Sequence, residues 1–194
     1  MKKVLIACEF SGTVRDAFIR SGHDAMSCDI LPSDAPGPHH QGNVLDILRE
    51  GWDMMIAHPP CTHLAVSGAK HFAAKIADGR QQAALNFVQA LMDAPIPRIC
   101  IENPVSIISS RIRKPDQIIQ PWMFGHEATK TTCLWLKNLP ALTPTNIVDK
   151  GKRHITKSGK SLPDWYNLPP SADRWKIRSA TFPGIADAMA TQWS

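Results

Sequence analysis

The residue best placed to do chemistry is Cys61, which follows two prolines at the end of an apolar stretch. Residues 52–57 have the composition of a strand. Pro59 and Pro60 stiffen the chain where it leaves that strand, because each fixes φ and lacks an N–H. The thiol is therefore expected at the carboxyl end of a strand, where open α/β sheets bind ligands. A nucleophile is one interpretation of such a cysteine, and a small buried hydrophobic residue is the other.

A glycine-containing turn and an acidic residue are expected beside this thiol. Residues 10–12 separate an apolar strand from an amphipathic helix over 13–21, and a glycine in such a turn lets a ligand approach backbone N–H groups. Asp29 ends a second strand, where a carboxylate suits a pair of ribose hydroxyls. The dinucleotide fingerprint G-x-G-x-x-G is absent, and a lone glycine after a strand is more often part of an ordinary turn.

A second carboxylate, Glu102, ends a strand predicted over 98–102 and is followed by Asn103 and Pro104. The carboxyl ends of parallel strands meet at one edge of a sheet. Glu102 and Cys61 are therefore expected on the same side of the molecule. Considered by itself, Glu102 is better explained as an edge carboxylate in solvent.

Strand-like and helix-like segments alternate along the chain, which predicts an α/β fold with a mostly parallel sheet and helices on both faces. The predicted strands cover residues 4–9, 24–30, 52–57, 98–102 and 131–136. The predicted helices cover residues 13–21, 80–93 and 185–192, and residues 115–126 are expected to be irregular. At 194 residues, the chain is expected to form one domain over 1–194.

Composition indicates an ordinary globular protein of a reducing compartment. Hydrophobic residues make up 43 % and charged residues 20 % of the chain. Five widely spaced cysteines without a C-x-x-C pair argue against a disulfide framework and a cysteine zinc site. His39 and His40 have no partner at ligand spacing, so no metal site is expected. No apolar run is long enough for a signal peptide or a membrane span.

Positive charge is concentrated near the carboxyl terminus. Residues 150–178 hold eight Lys/Arg and two Asp/Glu, whereas the whole chain has a net charge of +5. We expect residues 145–179 to form a basic, irregular insertion with tryptophans between the cations, a pattern that suits contact with nucleic acid. A solvated loop without a partner is the alternative. The candidate contacts are Lys150, Lys152, Arg153, Lys157, Lys160, Arg174, Lys176 and Arg178.

Three blocks of the sequence resemble, in order and spacing, the signature blocks of the DNA (cytosine-5) methyltransferases. They are EFSGTVRDAF, the segment IAHPPCTHLAVSG and CIENP, and the late segment TFPGIADAMA resembles the last block of that family. The resemblance covers roughly residues 4–136 and is strongest to small phage and prophage members. It implies a Rossmann-like fold that depends on S-adenosylmethionine, and a cytoplasmic enzyme of a bacterial or phage-infected cell.

The resemblance implies roles for individual residues in catalysis. Cys61 would add to carbon 6 of cytosine, and Glu102 would hold the ring nitrogen 3 and the exocyclic amine. Asn103 and Pro60 would shape the pocket, and Lys130 would stand in for a cation of a block that is otherwise missing. The base would be flipped out of a duplex or single-stranded.

The same resemblance implies a cofactor site on the other side of the thiol. The residues that would contact S-adenosylmethionine are Glu9, Phe10, Ser11, Gly12, Asp29, Ile30, Asn43, Asp46 and Pro59. The family pattern has Gly-Asp where this chain has Gly42-Asn43. An asparagine can still hydrogen-bond an adenine edge.

The chain lacks the separate target-recognition domain of the family, and only about 35 residues, 145–179, could replace it. A protein partner could supply target recognition. The leading hypothesis is methylation of carbon 5 of cytosine in DNA. The alternatives are modification of carbon 5 in RNA or a pyrimidine nucleotide, and a non-catalytic nucleic-acid-binding relative.

Overall fold

The fold is built on a seven-stranded sheet, described for residues 1–194 by a computed structural model. The strand order is β3-β2-β1-β4-β5-β7-β6. All neighbouring strands are parallel except β7, which is antiparallel to both β5 and β6. The strands are β1 (Lys3–Ala7), β2 (Asp24–Asp29), β3 (His39–Gln41), β4 (Met54–Ala57), β5 (Arg98–Asn103), β6 (Gln117–Ile119) and β7 (Thr132–Lys137). The predicted mostly parallel sheet is confirmed.

Helices cover both faces of this sheet, as the alternation of strands and helices predicts. They are α1 (Thr13–Arg20), α2 (Phe72–Ala77), α3 (Arg80–Met92), α4 (Ile108–Arg111), α5 (Arg174–Ser179) and α6 (Pro183–Gln192). None of them is long and apolar enough to cross a membrane.

Alternating side chains of the central strands fill two separate cores. In β1, Leu5 points into a core that includes Val88 and Leu91 of α3. Its neighbour Ile6 points into the opposite core with Phe18 of α1 and helix α6. Because side chains alternate across a strand, a strand covered on both faces must be apolar throughout. This explains the continuous apolar composition of residues 4–7.

Short elements appear where the sequence predicts loops. Strands β3 and β6 have three residues each, and β6 lies in the segment expected to be irregular. The basic insertion contains a hairpin of β8 (Arg153–Ile155) and β9 (Ser161–Pro163), followed by α5. Residues 66–71 form a 3₁₀ helix that leads into α2. Another 3₁₀ helix covers residues 44–46.

The strand order places a topological switch between β1 and β4, since the chain continues outward on opposite sides of these two strands. In open α/β sheets, ligands bind at the carboxyl ends of the strands at such a point. The turn after β1 and the segment that carries Cys61 after β4 both begin here.

Candidate active site

The turn after β1 is organised by the carboxylate of Glu9. Oε1 accepts the backbone N–H of Val14 at 2.7 Å, and Oε2 accepts that of Arg15 at 3.2 Å. These groups belong to the first turn of α1, where N–H groups have no partner within the helix. Gly12, at φ 76°, turns the chain into the helix. The buried Glu9 carboxylate therefore fixes the backbone of residues 10–12. It would act on a ligand at this turn through that backbone, without touching the ligand.

A fully buried arginine connects this turn to the loop after β2. The Arg15 guanidinium bonds Asp16 at 2.8 Å, the Ser27 and Ser33 hydroxyls at 3.2 Å, and the carbonyls of Ala35 and Pro36 at 3.4 and 2.8 Å. Its side chain is 0 % exposed. A guanidinium has five N–H donors and is costly to bury unless they are used. Arg15 thus stabilises the loop that faces residues 10–12.

Glycines are needed where the backbone passes this guanidinium. A Cβ added to Gly12 would lie 2.5 Å from Nη2 of Arg15, and one added to Gly37 would lie 2.7 Å from its Cζ. Both glycines also have positive φ, at 76° and 140°. The sequence indicates Gly12 only as a place where a ligand can approach the backbone, whereas the structure shows that this glycine also makes room for Arg15.

The other residues proposed for the cofactor lie around the carboxyl ends of β2 and β3. Oδ1 of Asp29 accepts the N–H of Leu31 at 2.9 Å, and the Ile30 side chain beside it is 75 % exposed. Asn43 and Asp46 are exposed, and Oδ1 of Asn43 accepts the N–H of Leu45 at 3.1 Å. A carboxylate next to an exposed apolar side chain can bind a ribose hydroxyl pair and the face of an adenine ring.

The segment that carries Cys61 is fixed by hydrogen bonds from several directions. The Asn103 amide donates to the carbonyl of Pro59 at 2.8 Å, which joins the segment to the end of β5. The carbonyl of Cys61 accepts the N–H groups of Leu64 and Ala65, forming a tight turn. The buried Lys75 ammonium of α2 donates to the carbonyl of Thr62 at 2.6 Å.

The loops after β4 and β5 are also joined to each other. The N–H of Val66 bonds the carbonyl of Val105 at 3.1 Å, and the N–H of Ile107 bonds the carbonyl of Leu64 at 3.0 Å. The position of Cys61 relative to Glu102 is therefore set by paired backbone, and does not depend on side chains alone.

Glu102 is buried and forms an ion pair that the sequence analysis did not anticipate. Its Oε2 lies 2.7 Å from Nδ1 of His58, and the two side chains are 10 % and 11 % exposed. Oε2 also accepts the Thr181 hydroxyl at 3.4 Å, whereas Oε1 has no hydrogen bond. Because β4 and β5 pair Ala57 with Ile101, the next residues, His58 and Glu102, lie side by side. Only this register could have revealed the pair.

The pair changes the ionisation of both groups. Burial by itself raises the pKa of Glu102, but the hydrogen bond and charge of His58 and the charge of Lys130 outweigh it, so the pKa falls below the usual value. Burial lowers the pKa of His58, but Glu102 and the charge of Glu9 reverse this and raise it. The pair is therefore charged, imidazolium with carboxylate, over a wider pH range than free groups would be.

Cys61 is mainly a thiol at neutral pH. Burial raises its pKa, and the charge of Glu102 adds to that, while Lys130 and Arg178 act in the opposite direction. Because a thiolate is the reactive form, the site must gain a cation or lose a negative charge to activate it.

The basic residues near the carboxyl terminus separate into two groups. The first five, on the approach to the hairpin and on the hairpin itself, are exposed: Lys150, Lys152, Arg153, Lys157 and Lys160. The last three, Arg174, Lys176 and Arg178, are half-buried and lie on α5, which folds onto the body of the protein. The first group is the more exposed to a polyanion, and in the second group Lys176 is paired with Asp34.

Residues 174–182, which we call the strap, extend from one half of the site to the other. The Trp175 ring lies 5.4 Å from that of Phe10, and Lys176 pairs with Asp34 at 2.7 Å. At its far end, Thr181 reaches Glu102. The Lys130 ammonium donates to the carbonyl of Ala180 at 3.2 Å. The strap therefore contacts both the turn after β1 and the carboxylate of β5.

Free space beside Glu102 is small. A cavity of about 10 Å³ is lined by Glu102, Lys130, Thr132 and the end of the strap. This is about one water-sized probe, so a pyrimidine ring cannot enter it unless neighbouring side chains move. Another cavity, of about 440 Å³, lies against Trp135 and Arg113, and none of the predicted site residues lines it.

The structure thus brings most predicted residues to one edge of the sheet. The proposed catalytic residues Cys61, Glu102, Asn103 and Lys130 interact through hydrogen bonds or charge. The strap adjoins them. No group of His, Cys, Asp and Glu has the geometry of a metal site. His39 instead bonds Ser27 and the carbonyl of Leu31.

Comparison with known proteins gives structural matches only. No family model and no curated protein matches the sequence. An E. coli prophage protein assigned as a DNA modification methyltransferase matches at TM-score 0.50 and 16 % identity, over 78 % of this chain and 53 % of that one. Dnmt2 methyltransferase of S. pombe matches at TM-score 0.47 and 17 % identity, over 73 % of this chain and 50 % of that one. DNMT2 of Spodoptera frugiperda matches at TM-score 0.48 and 15 % identity, over 77 % of this chain and 55 % of that one.

This chain spans about half the length of those structures. At such identities the likeness concerns the fold alone, and the match to the prophage protein supports it. The chain has the Rossmann-like fold of S-adenosylmethionine-dependent methyltransferases.

Proposed function

We propose that this protein transfers a methyl group to carbon 5 of cytosine in DNA through a covalent adduct with Cys61. The observation that carries the proposal is the joint placement of Cys61 and Glu102. Asn103 and the backbone pairs between the loops after β4 and β5 hold the two residues at one edge of the sheet. A nucleophile, a buried carboxylate and a flanking cation are what addition to a pyrimidine ring requires.

The chemistry assigns separate tasks to these side chains. Carbon 5 of cytosine is a poor nucleophile until the Cys61 thiolate adds to carbon 6. That addition places negative charge on the ring, which Glu102 would relieve through the free Oε1 at nitrogen 3. Lys130, whose charge acts on both groups, would stabilise the thiolate. Loss of the carbon 5 proton and of the cysteine would complete the cycle.

Residues after β1 and β2 fit S-adenosylmethionine, which supplies an electrophilic methyl group when bound. The turn of Phe10, Ser11 and Gly12, which Glu9 fixes, would present its backbone to the amino acid portion of the cofactor. The matching turn of the cytosine-5 methyltransferase pattern has this role. Asp29 would bind the ribose hydroxyls. The exposed Ile30 side chain would cover one face of the adenine, with Asn43 and Asp46 at its edge.

DNA is the proposed substrate because five exposed cations lie on and beside the hairpin. A second candidate is a cytosine in RNA or in a nucleotide, because exposed cations attract any polyanion and do not by themselves distinguish DNA from RNA.

The test is transfer of labelled methyl groups from S-adenosylmethionine to duplex DNA, single-stranded DNA, RNA and cytidine nucleotides, with nucleoside mass spectrometry of the product. We expect 5-methylcytosine in DNA with the wild type and none with Cys61→Ala. Cys133→Ala, which changes a buried cysteine of β7, is the control and should keep activity. Methylation by Cys61→Ala would refute the nucleophile, and label in RNA or nucleotides alone would favour the second candidate.

A further inference from the structure

His58 is a nearly buried side chain, hydrogen-bonded to Glu102, that the proposed mechanism leaves unused. It follows β4 directly, three residues before Cys61, and its backbone N–H donates to the carbonyl of Ala7 at 2.9 Å. The ring is therefore anchored between β1 and β5, at the topological switch. It occupies the boundary between the proposed cofactor and base sites.

The charges around His58 come from three elements. Glu102 of β5 is its hydrogen-bonded partner, Glu9 after β1 adds a second negative charge, and Lys130 before β7 adds a positive one. The ring is 11 % exposed, and its Nε2 is buried without a hydrogen-bond partner. Two carboxylates and one ammonium around the ring favour the imidazolium form.

The hydrogen bond also orients the carboxylate. Oε2 of Glu102 is used by His58 and Thr181, whereas Oε1 has no partner. A carboxylate held by one oxygen cannot rotate freely, so its other oxygen keeps one direction. This is the preorganisation that a group acting on nitrogen 3 of a base needs.

We propose that His58 is the positioning residue of Glu102 and the source of the proton that Glu102 delivers to the base. The inference rests on the proposed function. When the base binds, the Nδ1 proton of His58 passes to the Glu102 carboxylate, which leaves a neutral imidazole and a carboxylic acid that is no longer held by an ion pair and can turn its proton toward the base. As Cys61 forms its bond to carbon 6, the electron pair displaced from the ring takes that proton at nitrogen 3. The charges balance: thiolate and imidazolium disappear, the carboxylate is restored, and the adduct and the imidazole are neutral.

The pH dependence of the His58–Glu102 ion pair follows from the direction in which each pKa is shifted. The raised pKa of His58 means that the charged pair prevails below that pKa and is lost as pH rises through it. The lowered pKa of Glu102 means that acid removes the pair only well below neutrality. The contribution of His58 should therefore be largest near neutral and mildly acidic pH and fade in alkaline solution.

The first experiment measures the pair without any enzymatic activity. Histidine-labelled protein is titrated by NMR, and the His58 signal is assigned by its loss in His58→Asn. We expect its midpoint to lie above that of a free histidine and to fall in Glu102→Gln, because the carboxylate charge is removed. A His58 midpoint that does not respond to Glu102→Gln would overturn the proposal.

The second experiment follows single-turnover methylation against pH. Asn at 58 can donate a hydrogen bond from nearly the position of Nδ1 but carries no proton to give. We expect His58→Asn to lower the rate by about ten- to a hundredfold at neutral pH, with cofactor and DNA affinity within about twofold of wild type. His23→Asn, which changes a histidine that contacts Lys2 and Ser194 just before β2, at the opposite end of the strands, is the matched control and should leave the rate unchanged.

The decisive quantity is the ratio of the wild-type rate to the His58→Asn rate at each pH. Ionisation of Cys61 enters both rates, so the ratio isolates His58. It should fall toward one as pH rises through the NMR midpoint of His58. A ratio that stays constant would show a merely structural contact and refute the proton role. If the wild type methylates no substrate, the proposed function fails, and the titration still shows whether the buried pair exists.

Discussion

Replacement of Arg15 by Met is the sharpest test of how the sequence builds the cofactor half of the site. The guanidinium is fully buried and bonds the Pro36 carbonyl and Asp16 at 2.8 Å, with longer contacts to Ser27, Ser33 and Ala35. Methionine keeps most of the apolar volume, so the change removes the hydrogen bonds while creating little cavity.

The expected loss can be worked from these contacts. A hydrogen bond to a charged group contributes about 1.5–3 kcal/mol, and removing one partner of a buried pair costs about 3–5 kcal/mol. The Asp16 side chain is 38 % exposed, so water screens its share. We therefore expect about 3 kcal/mol less unfolding free energy, at the lower end of that range. For a chain of this size, that corresponds to a Tm lower by about 6–12 °C.

Urea unfolding followed by circular dichroism gives the free energy directly, with thermal unfolding as a second measure. Arg20→Met is the matched control, because Arg20 lies on the same helix and pairs with Asp187 through side chains that are 61 % and 57 % exposed. An exposed pair should contribute less than about 1 kcal/mol. If Arg15→Met were no more destabilised than Arg20→Met, the account of the Arg15 network would be refuted.

Three further predictions concern the site itself. Lys75→Met should lower the single-turnover methylation rate by about tenfold or more, with little change in cofactor affinity. The substitution removes the hydrogen bond that holds the Thr62 carbonyl beside the nucleophile. A parallel loss of cofactor affinity would contradict this explanation. Alkylation of Cys61 by iodoacetamide should be slow at pH 7 and accelerate as pH rises, since its pKa is raised, and Glu102→Gln should accelerate it at pH 7 by removing a negative charge. Mass spectrometry of the Cys61 peptide measures the rate of alkylation. Slower alkylation in Glu102→Gln would refute the predicted direction of the effect of Glu102 on Cys61. Trp175→Ala should change the affinity for S-adenosylmethionine measured by calorimetry, because the Trp175 ring contacts Phe10. Trp122→Ala is the control. Equal affinity of the wild type and both variants would exclude a contribution from the strap.

The central fold could be predicted because its elements are long and its strands are covered on both faces. The apolar run of residues 4–7 and the acids that end β2 and β5 mark their elements without tertiary information. Strands β3 and β6 could not be predicted, since three residues are too few to show a period of two. Helix α5 was missed because it is short and is held by contacts of Trp175 and Lys176 with residues far away in the sequence.

The site could be predicted only as far as residue type and position at a strand end allow. Cys61 and Glu102 are at strand ends, so their approach follows from a parallel sheet. His58 became part of the site through the register of β4 against β5, which the sequence does not display. Arg15 would be assigned to the solvent face of an amphipathic helix. It is buried because a loop rich in Pro and Gly passes over it.

The strap makes the two halves of the site depend on one another. Its Trp175 end rests on Phe10 and its Thr181 end on Glu102, and a base cannot enter the narrow space at Glu102 while those contacts hold. Whichever ligand arrives first bears the free-energy cost of lifting the strap, and the second then binds to a site already open. By reciprocity each ligand tightens the other by the same factor. Under the proposed function, the protein would thereby keep its methyl donor loosely held until a base is present.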